Sequence, residues 1–108
     1  MKEKYKKPWI VALRSGKFKQ GHTNLKNNDG RFCCLGVLAE INGYDPTLER
    51  YKLNGTEYLN DKLLNKFDLS EEAQRHLAAM NDGGEDAEGN RLREHTFDEI
   101  ADYIEKNL

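Results

Sequence analysis

Phe32-Cys33-Cys34-Leu35-Gly36-Val37-Leu38-Ala39-Glu40-Ile41 is the most apolar stretch of the chain, and its reading decides the fold. It ends at Asn42-Gly43, a good helix stop. The stretch predicts a buried helix, with a strand as the alternative. Gly36 costs a helix interior about 1 kcal/mol relative to alanine. A glycine there implies that another stretch of backbone comes close.

Towards the N-terminus lies a polar, turn-rich segment, residues 17–31, containing Asn27-Asn28-Asp29-Gly30. Asp-Gly is a turn signal, and Leu25 and Phe32 flank it, so a small hairpin or an ordered loop is expected. Connections this long in small domains are often functional. Before it, Pro8 to Arg14 reads as a short first helix. Trp9, Ala12 and Leu13 share one face, and Gly16 stands where a left-handed C-terminal cap belongs. The basic lead, residues 1–7, is expected to be flexible.

Towards the C-terminus, Tyr51 to Leu59 alternates around Asn54-Gly55, the clearest β-hairpin signal in the chain. Asp61–Phe67 reads as a short helix. Ser70 caps a second one, running from Glu71 to Met80, whose early acids suit the helix dipole. Residues 83–95 are acidic and glycine-rich and are expected to be a mobile loop. Thr96-Phe97-Asp98-Glu99 is a capping box. It opens a last helix with an apolar stripe of Phe97, Ile100, Ala101 and Ile104. The expectation is an α+β fold: one mostly helical domain over residues 1–108, with a small antiparallel β-hairpin.

The 108 residues suit one domain. No apolar run approaches the roughly 18 residues of a membrane span, and the basic start lacks the apolar stretch of a secretory signal. Cys33 and Cys34 are adjacent, too close for a useful disulfide, and read as free thiols of a reducing cytosol. Two cysteines without a second pair argue against structural zinc. His22, His76 and His95 have no metal-ligand spacing, and the acids after Asp82 lack a calcium-loop register. No cofactor is expected.

The net charge is only −2, but it is segregated. Residues 1–31 hold nine Lys or Arg and two acids, a net of +7, and the remainder carries −9. Either the basic front packs against the acidic back, or the front marks a site for a phosphate-bearing partner. On the second reading Arg14, Ser15, Lys17, Lys19, Gln20 and His22 are the candidate ligand-binding residues. A guanidinium forks a phosphate, ammonium groups add charge, and Gly16 and Gly21 let backbone N–H groups approach. Trp9 or Phe18 would stack a base. No Gly-x-x-x-x-Gly-Lys-Ser/Thr loop is present. General nucleic-acid binding is disfavoured by the acidic balance. Two other chemistries can be drawn. Cys33 or Cys34, near a helix N-terminus, would be a nucleophile with His22 or His95 as base, or else a buried core residue. The acidic 82–95 region would mimic nucleic-acid charge towards a basic protein, or else be a solvated loop.

Trp9, the run Ala12-Leu13-Arg14-Ser15-Gly16-Lys17-Phe18-Lys19-Gln20-Gly21, Leu25 and Phe32-Cys33-Cys34-Leu35-Gly36-Val37-Leu38 together form a specific pattern. Leu77-Ala78-Ala79-Met80-Asn81-Asp82 and Phe97 to Glu105 extend it. In these segments the chain resembles a family of small proteins encoded by tailed bacteriophages. The likeness covers both ends well and the middle poorly. It implies a phage origin and an accessory role towards the host: blocking a host factor or capturing a defence signal. The leading expectation is a non-enzymatic protein that captures a nucleotide-like ligand, or occludes a host macromolecule, through its basic N-terminal segment. A cysteine-dependent enzyme and an acidic interaction module are the alternatives.

Overall fold

The decisive stretch is a helix, and it lies at the centre of the molecule. The computed structural model describes all 108 residues. Its elements run α1 (Glu3–Arg14), α2 (Cys34–Ile41), a single 3-10 turn (Glu49–Tyr51), α3 (Asp61–Phe67), α4 (Glu71–Asp82), β1 (Gly84–Glu85), β2 (Arg91–Leu92) and α5 (Phe97–Asn107). The α+β class and the mostly helical content are as the sequence implies. No helix is long and apolar enough to cross a membrane.

From Cys34 to Ala39 every residue of α2 is buried, and only its last two, Glu40 and Ile41, reach solvent in part. A helix apolar all round must be surrounded, and α2 is: α1 and α4 pack on it, and α5 closes against α1 and α4. Trp9, Leu35, Leu38, Leu77, Ile100 and Ile104 are among the fully buried side chains of this single core. The Cα radius of gyration is 12.3 Å, close to the roughly 13 Å expected of a compact chain this long.

Gly36 has the role its position implied. A Cβ built there would lie 1.8 Å from the Leu25 carbonyl oxygen. That oxygen accepts the Cys33 N–H at 3.1 Å, so the 17–32 segment lies backbone-to-backbone on the start of α2.

Three boundaries differ from the sequence reading. The first helix begins at Glu3, so most of the basic lead is helical. Tyr5 supplies the reason, since it stands four residues before Trp9 and meets Phe67 edge-on at 5.0 Å. Pro8 then falls inside the helix. The hydrogen bond it cannot donate is one that the Lys4 carbonyl would accept, and both residues are exposed, so the loss falls on the solvent side.

Second, the Asn54-Gly55 turn forms with both residues at positive φ, 49° and 74°, as a type I′ turn requires. Its flanks pair only through a single bridge, Lys52 with Leu59. Gln74, buried on α4, takes over the next backbone groups: its side chain accepts from Leu59 N at 2.8 Å and donates to Leu59 O at 3.3 Å.

Third, the antiparallel pair of strands lies in the segment expected to be a loose loop. Gly84 pairs with Leu92 and Glu85 with Arg91. Asp86 organises the turn, accepting the N–H groups of Glu88 and Asn90 at 3.0 and 2.9 Å. Its second oxygen meets His76 Nδ1 at 3.4 Å, and the His76 ring stacks on Tyr103 with centroids 4.7 Å apart.

Candidate functional site

The six candidate residues after α1 do not converge on one point. Arg14 is already occupied: its guanidinium donates to Asp102 Oδ1 at 2.7 Å and Glu105 Oε2 at 3.2 Å. These hydrogen bonds raise its pKa further. Asp102 and Glu105 are three residues apart, hence neighbours on α5. Arg14 therefore joins the basic front to the acidic back, as the packing alternative foresaw. Ser15 closes the helix locally, donating to Ala12 O at 2.7 Å and accepting Lys17 N–H at 3.1 Å. Gln20 turns inward, its amide donating to His95 O at 2.8 Å and Asn81 Oδ1 at 3.1 Å. His22 contacts the carboxylate of Glu94. Arg14, Gln20 and His22 are thus spent within the fold, and the phosphate fork drawn from the sequence is not assembled. Trp9 is fully buried with its indole N–H on Cys34 O at 2.9 Å, and Phe18 lies edge-on to Phe32. Trp9 therefore offers no face to a base, while Phe18 is half-buried at the edge of two surface clefts.

Gln20 leads to a residue, Asn81, to which the sequence reading gave no functional or structural role of its own. Asn81 is completely buried. Its oxygen accepts from Gln20 Nε2 and from Cys34 N, both at 3.1 Å, and its nitrogen donates to Gly21 O and Asp82 Oδ1 at 2.9 and 2.8 Å. One side chain thereby fastens the end of α4, the start of α2 and the polar loop together. Its only trace in the sequence is its place in Leu77-Ala78-Ala79-Met80-Asn81-Asp82.

The two thiols are also structural. Cys33 caps α2, its sulfur accepting Gly36 N–H at 3.4 Å, and Cys34 Sγ donates to Leu77 O at 3.6 Å. Backbone amides at a helix N-terminus favour thiolate, but burial opposes them and is the larger effect. It pushes the Cys33 thiol up to about 12 and moves Cys34 the same way. A nucleophilic thiol needs the opposite shift and access. His95, the other proposed base, donates Nδ1–H to Arg93 O at 2.7 Å.

What remains open is the set of lysines. Of the nine N-terminal cations, Arg14 reaches the acidic half, while Lys6 and Arg31 pair locally with Glu3 and Asp29. Lys2, Lys4, Lys7, Lys17, Lys19 and Lys26 meet no carboxylate of the chain within 4.0 Å, although Lys4 lies over the Tyr5 ring and Lys26 over the Phe32 ring, each at 5.2 Å. Lys4, Lys7 and Val11 recur at helical spacing on the outer face of α1. Val11 is 67% exposed, unusual for a large aliphatic residue in this molecule. It lines a groove of about 440 Å³ together with Pro8, Ala12, Phe18 and Ile41, with Lys17 on its rim. On the other side of Phe18 a smaller cleft of about 290 Å³ contains Arg14, already paired, and Gln20. The candidate site is therefore a surface: an apolar groove with Lys17 in its lining, continued along α1 by Lys7 and Lys4, none of them paired with a carboxylate.

Residues 1–62 match the family described as a domain of unknown function, DUF8296, and the chain belongs to that family. The matched region contains α1, the polar loop and α2, hence the lysine face and both thiols. No curated protein and no solved structure matches the chain.

Proposed function

We propose that this protein is a non-enzymatic binding protein that captures an anionic macromolecule on the lysine-bearing outer face of α1 and the start of the following loop. The observation behind this reading is that Lys4 and Lys7 on the Val11 face of α1, and Lys17 at the adjoining groove, have no carboxylate partner, while acids of the back half engage Arg14 and His22. Unpaired like charge on one face is an electrostatic liability within the fold and a source of attraction towards an acidic partner. A surface is favoured over a small phosphate pocket because Arg14, Gln20 and His22 are engaged elsewhere, while Lys17 lines an open groove next to the Lys4–Lys7 face of α1. That the partner is a host factor is an extension resting on the phage resemblance alone.

The test is fluorescence anisotropy with labelled poly-L-glutamate at low salt. Wild-type protein is expected to bind, with affinity falling as salt screens the contact. The variant K4E/K7E/K17E is expected to bind at least about tenfold more weakly. Arg14→Gln, which breaks only the contact with α5, is expected to bind like wild type. Equal binding by wild type and the triple variant would refute the proposal.

A further inference from the structure

Resting on that reading, we infer that the occupant of the α1 face is an amphipathic acidic peptide segment of a partner protein, seating an aliphatic side chain against Val11 with its carboxylates towards Lys7 and Lys17. Isolated apolar residues on a surface need no explanation. Val11 is not isolated, because Pro8, Ala12, Phe18 and Ile41 continue its apolar surface into a concavity. The groove's 440 Å³ lies near the small end of ligand sites, which span roughly 300–1,000 Å³. It suits one or two aliphatic side chains.

The charge around the groove selects the rest of the partner. Lys7 stands one helical turn from Val11, Lys4 two turns, and Lys17 borders the other end. The acids of α1 and α2 are Glu3, engaged by Lys6, and Glu40. An occupant therefore gains from acids flanking its apolar anchor, the pattern of an amphipathic helix laid in a groove. A lipid surface would be better served by a cluster of protruding large apolar side chains, whereas here Val11 alone of the large ones is strongly exposed and Phe18 and Ile41 are half-buried. A nucleic acid would be better served by free arginine forks, and Arg14 and Arg31 are already paired with Asp102, Glu105 and Asp29.

The experiment compares two short, helix-forming, glutamate-rich peptides by anisotropy. One carries two leucines a turn apart; the other has serine in their place. Wild-type protein is expected to bind the leucine peptide about tenfold more tightly than the serine peptide. Val11→Ser, exposed and so harmless to folding, is expected to bind both equally, at the serine-peptide level. Val11→Leu is expected to restore the preference. Equal binding of the two peptides by wild type would overturn this inference and leave the lysine-face reading standing. Binding of neither peptide nor poly-L-glutamate would overturn both. Retention on phosphatidylserine vesicles that Val11→Ser abolishes, without discrimination between the peptides, would overturn it in favour of a membrane surface.

Discussion

Asn81 has the heaviest consequences of any single side chain in the molecule. All of its donor and acceptor groups are used, three of them towards Gln20, Gly21 and Cys34. Replacing it by alanine strands buried backbone groups, and each costs roughly 1–3 kcal/mol when left without a partner. Asn81→Ala is therefore expected to lose about 3 kcal/mol, seen as a fall of more than about 10 °C in the thermal midpoint. A change of less than about 1 kcal/mol would show that the network contributes little. At this scale the sequence was only partly legible. Free cysteine is a frequently buried residue type, so the core reading of Cys33 and Cys34 was available in advance. The roles of Asn81 and Gln74 were not, because each satisfies backbone groups distant in sequence. An asparagine ahead of Asp-Gly-Gly looks locally like a helix end and nothing more. The partners of Arg14 were hidden for the same reason, since they lie 88 and 91 residues away.

Helices were easier to read than the irregular segments. Short-range physics specifies α3, α4 and α5: the caps read at Ser70 and Thr96 form, and Asn60, not singled out in the sequence, caps α3 in the same way, each accepting a backbone N–H of the first turn. In the capping box of α5, Glu99 Oε1 accepts Thr96 N–H at 3.0 Å and Arg93 grips the same carboxylate at 2.6 Å. These contacts, Arg93 first, hold the Glu99 carboxyl down at about 2 instead of about 4.5. A folded pKa below the unfolded one stabilises the protein fully above the unfolded value, and the gain is lost as pH falls through the folded one. Urea midpoints measured from pH 6 down to pH 2 are thus expected to show wild type ahead of Glu99→Gln near neutrality. The gap should close as the pH falls from about 4.5 towards 2. A gap independent of pH would contradict the assignment. Gly36 offers a second test at this scale. Gly36→Ala drives a methyl into the Leu25 carbonyl and is expected to cost about 3 kcal/mol, the upper end of overpacking. At Gly84 an added Cβ meets nothing and φ lies outside the left-handed range, so Gly84→Ala should stay within about 0.5 kcal/mol. The 84–92 strands escaped the sequence reading because their order comes from Asp86 and from α4, in a segment whose composition alone reads as loop.

Across the whole molecule the two charge halves meet less than their opposite signs suggest. Arg14 and His22 bridge them, while the lysine face of α1 looks away. The α+β class followed from periodicity and caps, and the segregation of charge was visible by counting. Which cations are free was not visible, since that depends on how α1 sits against α5. The lysine face is exposed, and charge reversal at Lys4, Lys7 and Lys17 removes no ion pair of the fold. The K4E/K7E/K17E variant is therefore expected to unfold within about 1 kcal/mol of wild type while losing its anionic partner. The most direct measurement of the central claim is a map of backbone amide shifts as unlabelled poly-L-glutamate is titrated into 15N-labelled protein. The account predicts shifts confined to the outer face of α1 around Lys4, Lys7 and Val11, continuing to Lys17 and Phe18 and across to Ile41. Shifts centred instead on the 84–95 segment or on α5, or no shifts at all, would contradict it.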